Sequence, residues 1–252
     1  MTMGLLEDKV VLLVGASTGI GAEAARVFAA EGASLVLAAR SADALESLAG
    51  ELAEGGHAVA TAAGDVTSAS DVARMVDTAV ERFGRLDGAF NNAGMTQLGL
   101  LHEVSEDDFD RLFAVNVKGV WLCLREELRV MRAAGAGSIV NTSSVGGYKG
   151  SSGLGAYQAT KHAVIGLTRT AAHDNGPLGI RVNTVAPGPT ESAMLDAMRR
   201  DDPDAIPRRL AAMPLRKVGT GAEVANAVAW LLSDRASHVT GAVLPVEGGF
   251  TA

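Results

Sequence analysis

The feature that most constrains the fold is a rhythm: short aliphatic or β-branched runs alternate with longer stretches of helical period. VVLLV from Val10 gives way to a helical stretch ending near Glu31. SLVLAA from Ser34 leads into one running through Leu52, and HAVATAA near His57 into one from about Ser68 to Phe83. LDGAF from Leu86 precedes a long helix predicted over Glu106 to Met131, and SIVNTS from Ser138 precedes one from about Ala156 to Asn175. IRVNTVA from Ile180, a helix from Ala222 to Leu232 and a final AVLPVEG complete the series. Continuous apolar runs of this length suit strands buried on both faces. Strands alternating with helices imply right-handed crossovers and a parallel sheet covered on both sides, an α/β doubly wound fold of about seven strands.

The chain has 252 residues and a mass of 25.7 kDa, enough to bury one sizeable core. No repeat and no low-complexity segment interrupts it, so a single domain over 1–252 is expected. The formal charge of −7, from 22 Lys and Arg against 29 Asp and Glu, speaks against a nucleic-acid partner, which needs a surplus of cations. Cys123 is the only cysteine, and the histidines at 57, 102, 162, 173 and 238 are scattered, so neither a disulfide nor a metal site is expected. No apolar run approaches the roughly 18 residues of a membrane span. A reduced, cytoplasmic, membrane-free setting fits best. One stretch breaks the rhythm: 187–219, rich in proline and carrying Arg199, Arg200, Asp201 and Asp202. It follows a predicted strand, where doubly wound sheets place ligand-binding loops, and reads as a substrate lid.

Between the first strand and the first helix stand Gly15, Gly19 and Gly21. Glycines there allow a sharp turn and a close approach of backbone to a pyrophosphate, while the helix start offers unpaired N–H groups and a partial positive charge. The spacing is Gly-x-x-x-Gly-x-Gly. Further along come Asp65 in DVT, NNAG at Asn91 to Gly94, NVKG at Asn116, Ser144 in SSVGG, Tyr157 and Lys161 in YQATK, PGPTES at Pro187 and VTGAVLPVEGG near the end. In order and spacing these motifs make the chain resemble the short-chain dehydrogenase/reductase family, in its branch of about this length, from end to end. The resemblance implies a Rossmann-like fold binding a nicotinamide cofactor. It assigns cofactor contacts to Gly15, Ser17, Thr18, Gly19, Ile20, Gly21, Arg40, Asp65, Val66, Asn91, Ala93, Gly94, Tyr157, Lys161, Pro187, Gly188 and Thr190, with no metal.

The position where NAD enzymes carry an acidic group for the adenosine ribose is Ala39 here, followed by Arg40. With no carboxylate to repel a phosphate and a guanidinium beside it, the 2′-phosphate of NADP(H) is the expected occupant. NAD(H) stays open, because Thr18 stands where NADP-preferring relatives often carry a basic residue.

The chain has two tyrosines, Tyr148 and Tyr157, so any phenolic acid is one of them. Lys161 lies four positions after Tyr157 in a predicted helix, which puts both side chains on one face. A neighbouring ammonium stabilises a phenolate and is expected to lower its pKa toward working pH. Ser144 closes the fifth strand run, and alternation along a strand sends only one of Ser143 and Ser144 to the site. The family register picks Ser144, leaving Ser143 structural. By resemblance Asn116 holds a water joined to Lys161, so the catalytic set is Asn116, Ser144, Tyr157 and Lys161. The implied reaction interconverts a ketone or aldehyde and an alcohol, with Tyr157 as acid or base and Ser144 polarising the oxygen.

Substrate walls are expected from Met95, Thr96, Gln97, Val145, Leu154, Met194, Leu195 and Met198, mostly apolar or flexible, which suits a small-molecule carbonyl substrate. Relatives pair through the helices near Glu106 to Met131 and Ala156 to Asn175, so a homotetramer is implied. A reading of another class, a cofactor-sensing protein without catalysis, is opposed by the complete catalytic set. Epimerase and dehydratase relatives resemble longer chains.

Overall fold

The computed structural model describes residues 4–192, 195–196, 199–200, 203–211 and 213–252, with side chains at all of these but 205 and 209. Seven parallel strands form one sheet in the order β3-β2-β1-β4-β5-β6-β7: β1 Val10–Val14, β2 Ser34–Ala39, β3 Val59–Ala63, β4 Gly88–Asn91, β5 Gly137–Thr142, β6 Ile180–Pro187 and β7 Val243–Val246. The helices are α1 Gly19–Ala30, α2 Ala42–Glu54, α3 Ala69–Phe83, α4 Glu106–Phe113, α5 Gly119–Ala134, α6 Gly155–Asn175, α7 Ala205–Ala211 and α8 Gly221–Leu232.

All five residues of β1 are buried, and its side chains divide between two cores. Val11 and Leu13 join Phe28 and Val228 on the α1 and α8 side, whereas Val10, Leu12 and Val14 join Met75, Leu122 and Val164 on the α3, α5 and α6 side. That is the period-two alternation of a strand covered on both faces. The order reverses between β1, which pairs β2, and β4, so the crevice at their carboxyl ends is the place for a ligand.

Helix starts follow their sequences. Ser41, Ser68 and Ser105 accept a backbone N–H from the first turns of α2, α3 and α4, and Thr220 with Glu223 closes a full capping box on α8. α1 begins at Thr18 with no side-chain cap. The half-buried Arg181 guanidinium donates to the carbonyls of Leu231, Leu232 and Ser233, satisfying acceptors at the end of α8, and to that of Val239 beyond it.

Two expectations are corrected. The helix expected over Glu106 to Met131 is interrupted: Ala114–Lys118 forms a π turn between α4 and α5. An inserted residue of this kind shifts the phase of everything beyond it, and the apolar periodicity conceals it. The segment 187–219 is also more than a loop. A bridge between Thr190 and Gly219 and the pairs Gly219 N to Pro189 O and Glu191 N to Gly219 O close its base. α7 lies inside it, and Leu195, Ile206 and Met213 are buried.

Candidate active site

The glycine turn is built by steric necessity. Gly15 has φ +88°, and a Cβ there would sit 2.5 Å from the Ala93 nitrogen, while one on Gly21 would overlap the Gly15 carbonyl. Asn92 holds the turn from beyond by donating Nδ2 to Gly15 O at 3.1 Å. Gly19, at φ +55°, has nothing within 4 Å of a Cβ and lines a cavity of about 420 Å³. The uncapped first turn of α1 thus opens onto free space beside glycine backbone, and these residues fit a pyrophosphate.

That cavity has a volume suited to a small molecule. Thr18, Ile20, Gly94, Pro187, Gly188 and Thr190 line it with Ser144, Tyr157 and Lys161. Val66, Asn91 and Ala93 line a second, smaller recess with Val14, Val115 and Cys123. Gly15, Gly21 and Ser17 are not among the described lining residues of either, and the first two stand behind the turn. Asp65 spends Oδ1 on the backbone and hydroxyl of Thr67, both at 2.8 Å, shaping the turn into α3. Arg40 is exposed, with no ion pair or hydrogen bond among the described residues. At Gly188 a Cβ would strike Glu247 Cβ at 2.7 Å, so the protein itself requires the glycine there.

Tyr157 and Lys161 project from the same side of α6, the ammonium 5.6 Å from the phenol ring centre. Lys161 Nζ donates to Thr142 O at 2.9 Å, and burial pushes its pKa down to about 8. The expected lowering of the Tyr157 pKa is absent. Desolvation raises it, and only the nearby Ser144 hydroxyl acts the other way. Ser144 sits where β5 passes into a 3₁₀ turn, its Oγ accepting Gly146 N at 3.1 Å. Ser143 also lines the cavity, against the alternation that would send only one of the two serines there, but it is buried and its hydroxyl donates to Lys161 O at 2.9 Å.

Asn116 lies in the π turn, fully buried, and is absent from the described lining of both recesses. Its amide exchanges hydrogen bonds with the Met95 backbone, N to Oδ1 and Nδ2 to O, both 2.9 Å, and Nδ2 also donates to Thr160 Oγ1 at 3.1 Å. Thr160 Oγ1 in turn donates to Tyr157 O at 2.6 Å. The amide therefore ties the loop after β4 to the turn of α6 that carries Tyr157.

Of the expected substrate walls, Met95, Val145, Leu154 and Leu195 line the main cavity, and Thr96 and Gln97 do not. Met194 and Met198 lie outside the described residues, as do Asp201 and Asp202. Sequence reasoning missed Lys149, Gln158 and Phe250. Lys149 and Gln158 fall between or beside the motif residues Ser144 and Lys161, a signal that was there to be used. Phe250 reaches the cavity only through the return of the carboxyl-terminal segment.

The family model described as enoyl-(acyl carrier protein) reductase matches residues 15–251. The chain is 46% identical to the A-factor type gamma-butyrolactone 1'-reductase (1S-forming) of Streptomyces virginiae, over 98% of this chain and 97% of that one. Among solved structures it is similar to an NAD+-bound xylitol dehydrogenase, with a TM-score of 0.93 and 34% identity over 97% of this chain and 99% of the other. It is likewise similar to a gluconate 5-dehydrogenase from Burkholderia cenocepacia J2315 in complex with NADP and tartrate, with a TM-score of 0.93 and 32% identity over 98% and 96%. With its seven-stranded sheet, its glycine turn and these relatives along nearly its whole length, the chain belongs to the short-chain dehydrogenase/reductase family and is an oxidoreductase acting on CH–OH or C=O groups.

Proposed function

We propose that this enzyme interconverts a ketone or aldehyde and the corresponding alcohol with NADP(H) in preference to NAD(H), within one domain over 1–252. The observation that carries the reading is the meeting of Ser144, Tyr157 and Lys161 on one cavity beside the glycine turn. A bound nicotinamide supplies or accepts the hydride. Tyr157 Oη gives the proton to the carbonyl oxygen or takes it from the alcohol, and Ser144, lining the same cavity, meets that oxygen with its hydroxyl. Lys161, anchored on Thr142 O, orients a ribose. Asn116 is a positioning residue, holding Met95 and, through Thr160, the Tyr157 turn. The glycine turn and the start of α1 hold the pyrophosphate, Val66, Asn91 and Ala93 the adenosine, and Pro187, Gly188 and Thr190 the carboxamide end. The segment 187–219 closes over a small-molecule substrate.

Arg40 favours the 2′-phosphate because it is exposed and unpaired among the described residues, with no carboxylate at Ala39. NADPH and NADH consumption is measured over a panel of ketones with the wild type and Arg40→Ala. The wild type prefers NADPH, and the variant loses roughly 10–100-fold in kcat/KM with NADPH alone, the worth of a charged hydrogen bond. A wild-type preference for NADH contradicts the NADP assignment and leaves the reaction standing. The enzyme works in the cytoplasm as a homotetramer, its exposed Phe109 and Trp121 becoming covered by partner chains; light scattering returning the mass of one chain contradicts this.

A further inference from the structure

The main cavity carries a charge asymmetry that the reaction does not use. Its charged lining among the described residues is Lys149 and Lys161, with no Asp or Glu, in a chain whose net charge is −7. Lys161 belongs to the chemistry. Lys149 stands five residues after Ser144, just beyond the 3₁₀ turn Val145–Gly147, and its backbone N–H is fixed on Val145 O at 3.1 Å.

Its ammonium lies 4.4 Å over the Phe250 ring and donates to Phe250 O at 3.3 Å. Neither partner neutralises it, and no carboxylate among the described residues pairs with it. Glu247, the nearest acidic residue in sequence to Phe250, turns Oε2 to Thr251 N at 2.9 Å. An ammonium has three donors, so two remain after the Phe250 carbonyl. The ring and the carboxyl-terminal backbone thus hold an exposed cation at the rim of the cavity, with no carboxylate among the described residues pairing with it.

We propose that Lys149 is a specificity-determining residue that receives an anionic group on the substrate, so the enzyme acts on a carbonyl compound, or its alcohol, bearing a carboxylate. A single ammonium outside the chemistry, with no arginine among the described lining residues, suits a singly charged carboxylate better than a doubly charged phosphate, which calls for more donors. Phe250 completes the subsite by fixing the ammonium and presenting an apolar face to the carbon skeleton. The inference rests on the carbonyl–alcohol reading of the same cavity.

The test titrates the NADPH complex with two probes that cannot be reduced, cyclohexanecarboxylate and its neutral isostere cyclohexanecarboxamide, by calorimetry at low salt. The wild type binds the carboxylate at least about tenfold more tightly, the effect of one charged hydrogen bond. Lys149→Met removes the preference without changing the carboxamide Kd, and Lys149→Arg keeps it. Equal binding, a preference that survives in Lys149→Met, or binding of neither probe overturns the proposal. In a second arm the wild type reduces 4-oxopentanoate with higher kcat/KM than its methyl ester, and Lys149→Met reverses the order; an ester preferred by the wild type counts against the proposal. The carbonyl–alcohol reading fails separately, through turnover that survives loss of the Tyr157 hydroxyl, which the titrations do not read.

Discussion

Two polar clusters are buried between the sheet and α6, and they differ in what they leave open. In the first, Asn91 on β4 donates to Glu127 on α5 at 3.0 Å and to Asn141 on β5 at 2.9 Å, and Asn141 donates to Thr168 on α6 at 2.9 Å. All four are almost wholly buried. In the second, two turns earlier on α6, Tyr157 and Lys161 meet Ser144 at the edge of a cavity. Both clusters shift pKa values by desolvation: Glu127 is pushed up to about 8 and Lys161 down to about 8. The first resolves that stress internally. Asn91 Oδ1 and Glu127 Oε1 are both buried without a partner among the described residues, and burial that raises the Glu127 pKa to about 8 keeps the carboxyl neutral, so no bare charge is left there. The second faces open space with its proton donors. Strongly shifted groups therefore mark either a structural network or a reactive site, and access to the main cavity separates the two, since the first cluster reaches only the small second recess, through Asn91.

Substitutions should separate them in the same way. Lys161→Met removes the ammonium and keeps the stem: turnover falls by about 10²–10⁴, the usual range for an acid–base apparatus, while the melting temperature moves by only a few degrees, since a lost bond to Thr142 O is offset by relief of a desolvated charge. Steady-state kinetics beside calorimetric melting reads both. Parallel loss of fold and turnover would erase the distinction.

Adjacent serines sharpen it further. Ser144→Ala is expected to cost about 10²–10³ in kcat, as for a lost donor to a developing oxyanion, whereas Ser143→Ala costs about 1 kcal/mol of stability through its bond to Lys161 O. Equal kinetic effects of the two would overturn the assignment.

The closed cluster is tested by pH. The folded pKa of Glu127 lies above the unfolded value, so its contribution to stability is full below about 4.5 and is lost progressively as pH rises through about 8. Every tenfold difference in proton affinity between the folded and unfolded chain is worth about 1.4 kcal/mol. Glu127→Gln supplies a permanent donor in the same shape and should flatten that dependence between pH 5 and 9, with turnover unchanged. Chemical denaturation at several pH values checks this; a variant as pH-dependent as the wild type would mean Glu127 is ionised in the fold.

The sheet was legible because strands covered on both faces must be almost wholly apolar, and VVLLV and SLVLAA leave little alternative. Tyr157 and Lys161 were legible because helical spacing is local. The π turn was not, since apolar residues run on through it, and Glu127 was hidden with it. In REELRVMR Glu126 and Glu127 look alike, yet Glu126 pairs with Arg125 and Arg129 at the surface while Glu127 is fully buried. Lys149 and Phe250 meet across 101 positions, a separation no local pattern reports.

The most direct measurement is turnover and cofactor binding in Tyr157→Phe, which removes one oxygen and keeps the ring under Lys161. The account predicts turnover down by at least about 10²-fold with the NADPH dissociation constant nearly unchanged. Turnover at the wild-type rate would contradict it, and the proton would have to come from another group.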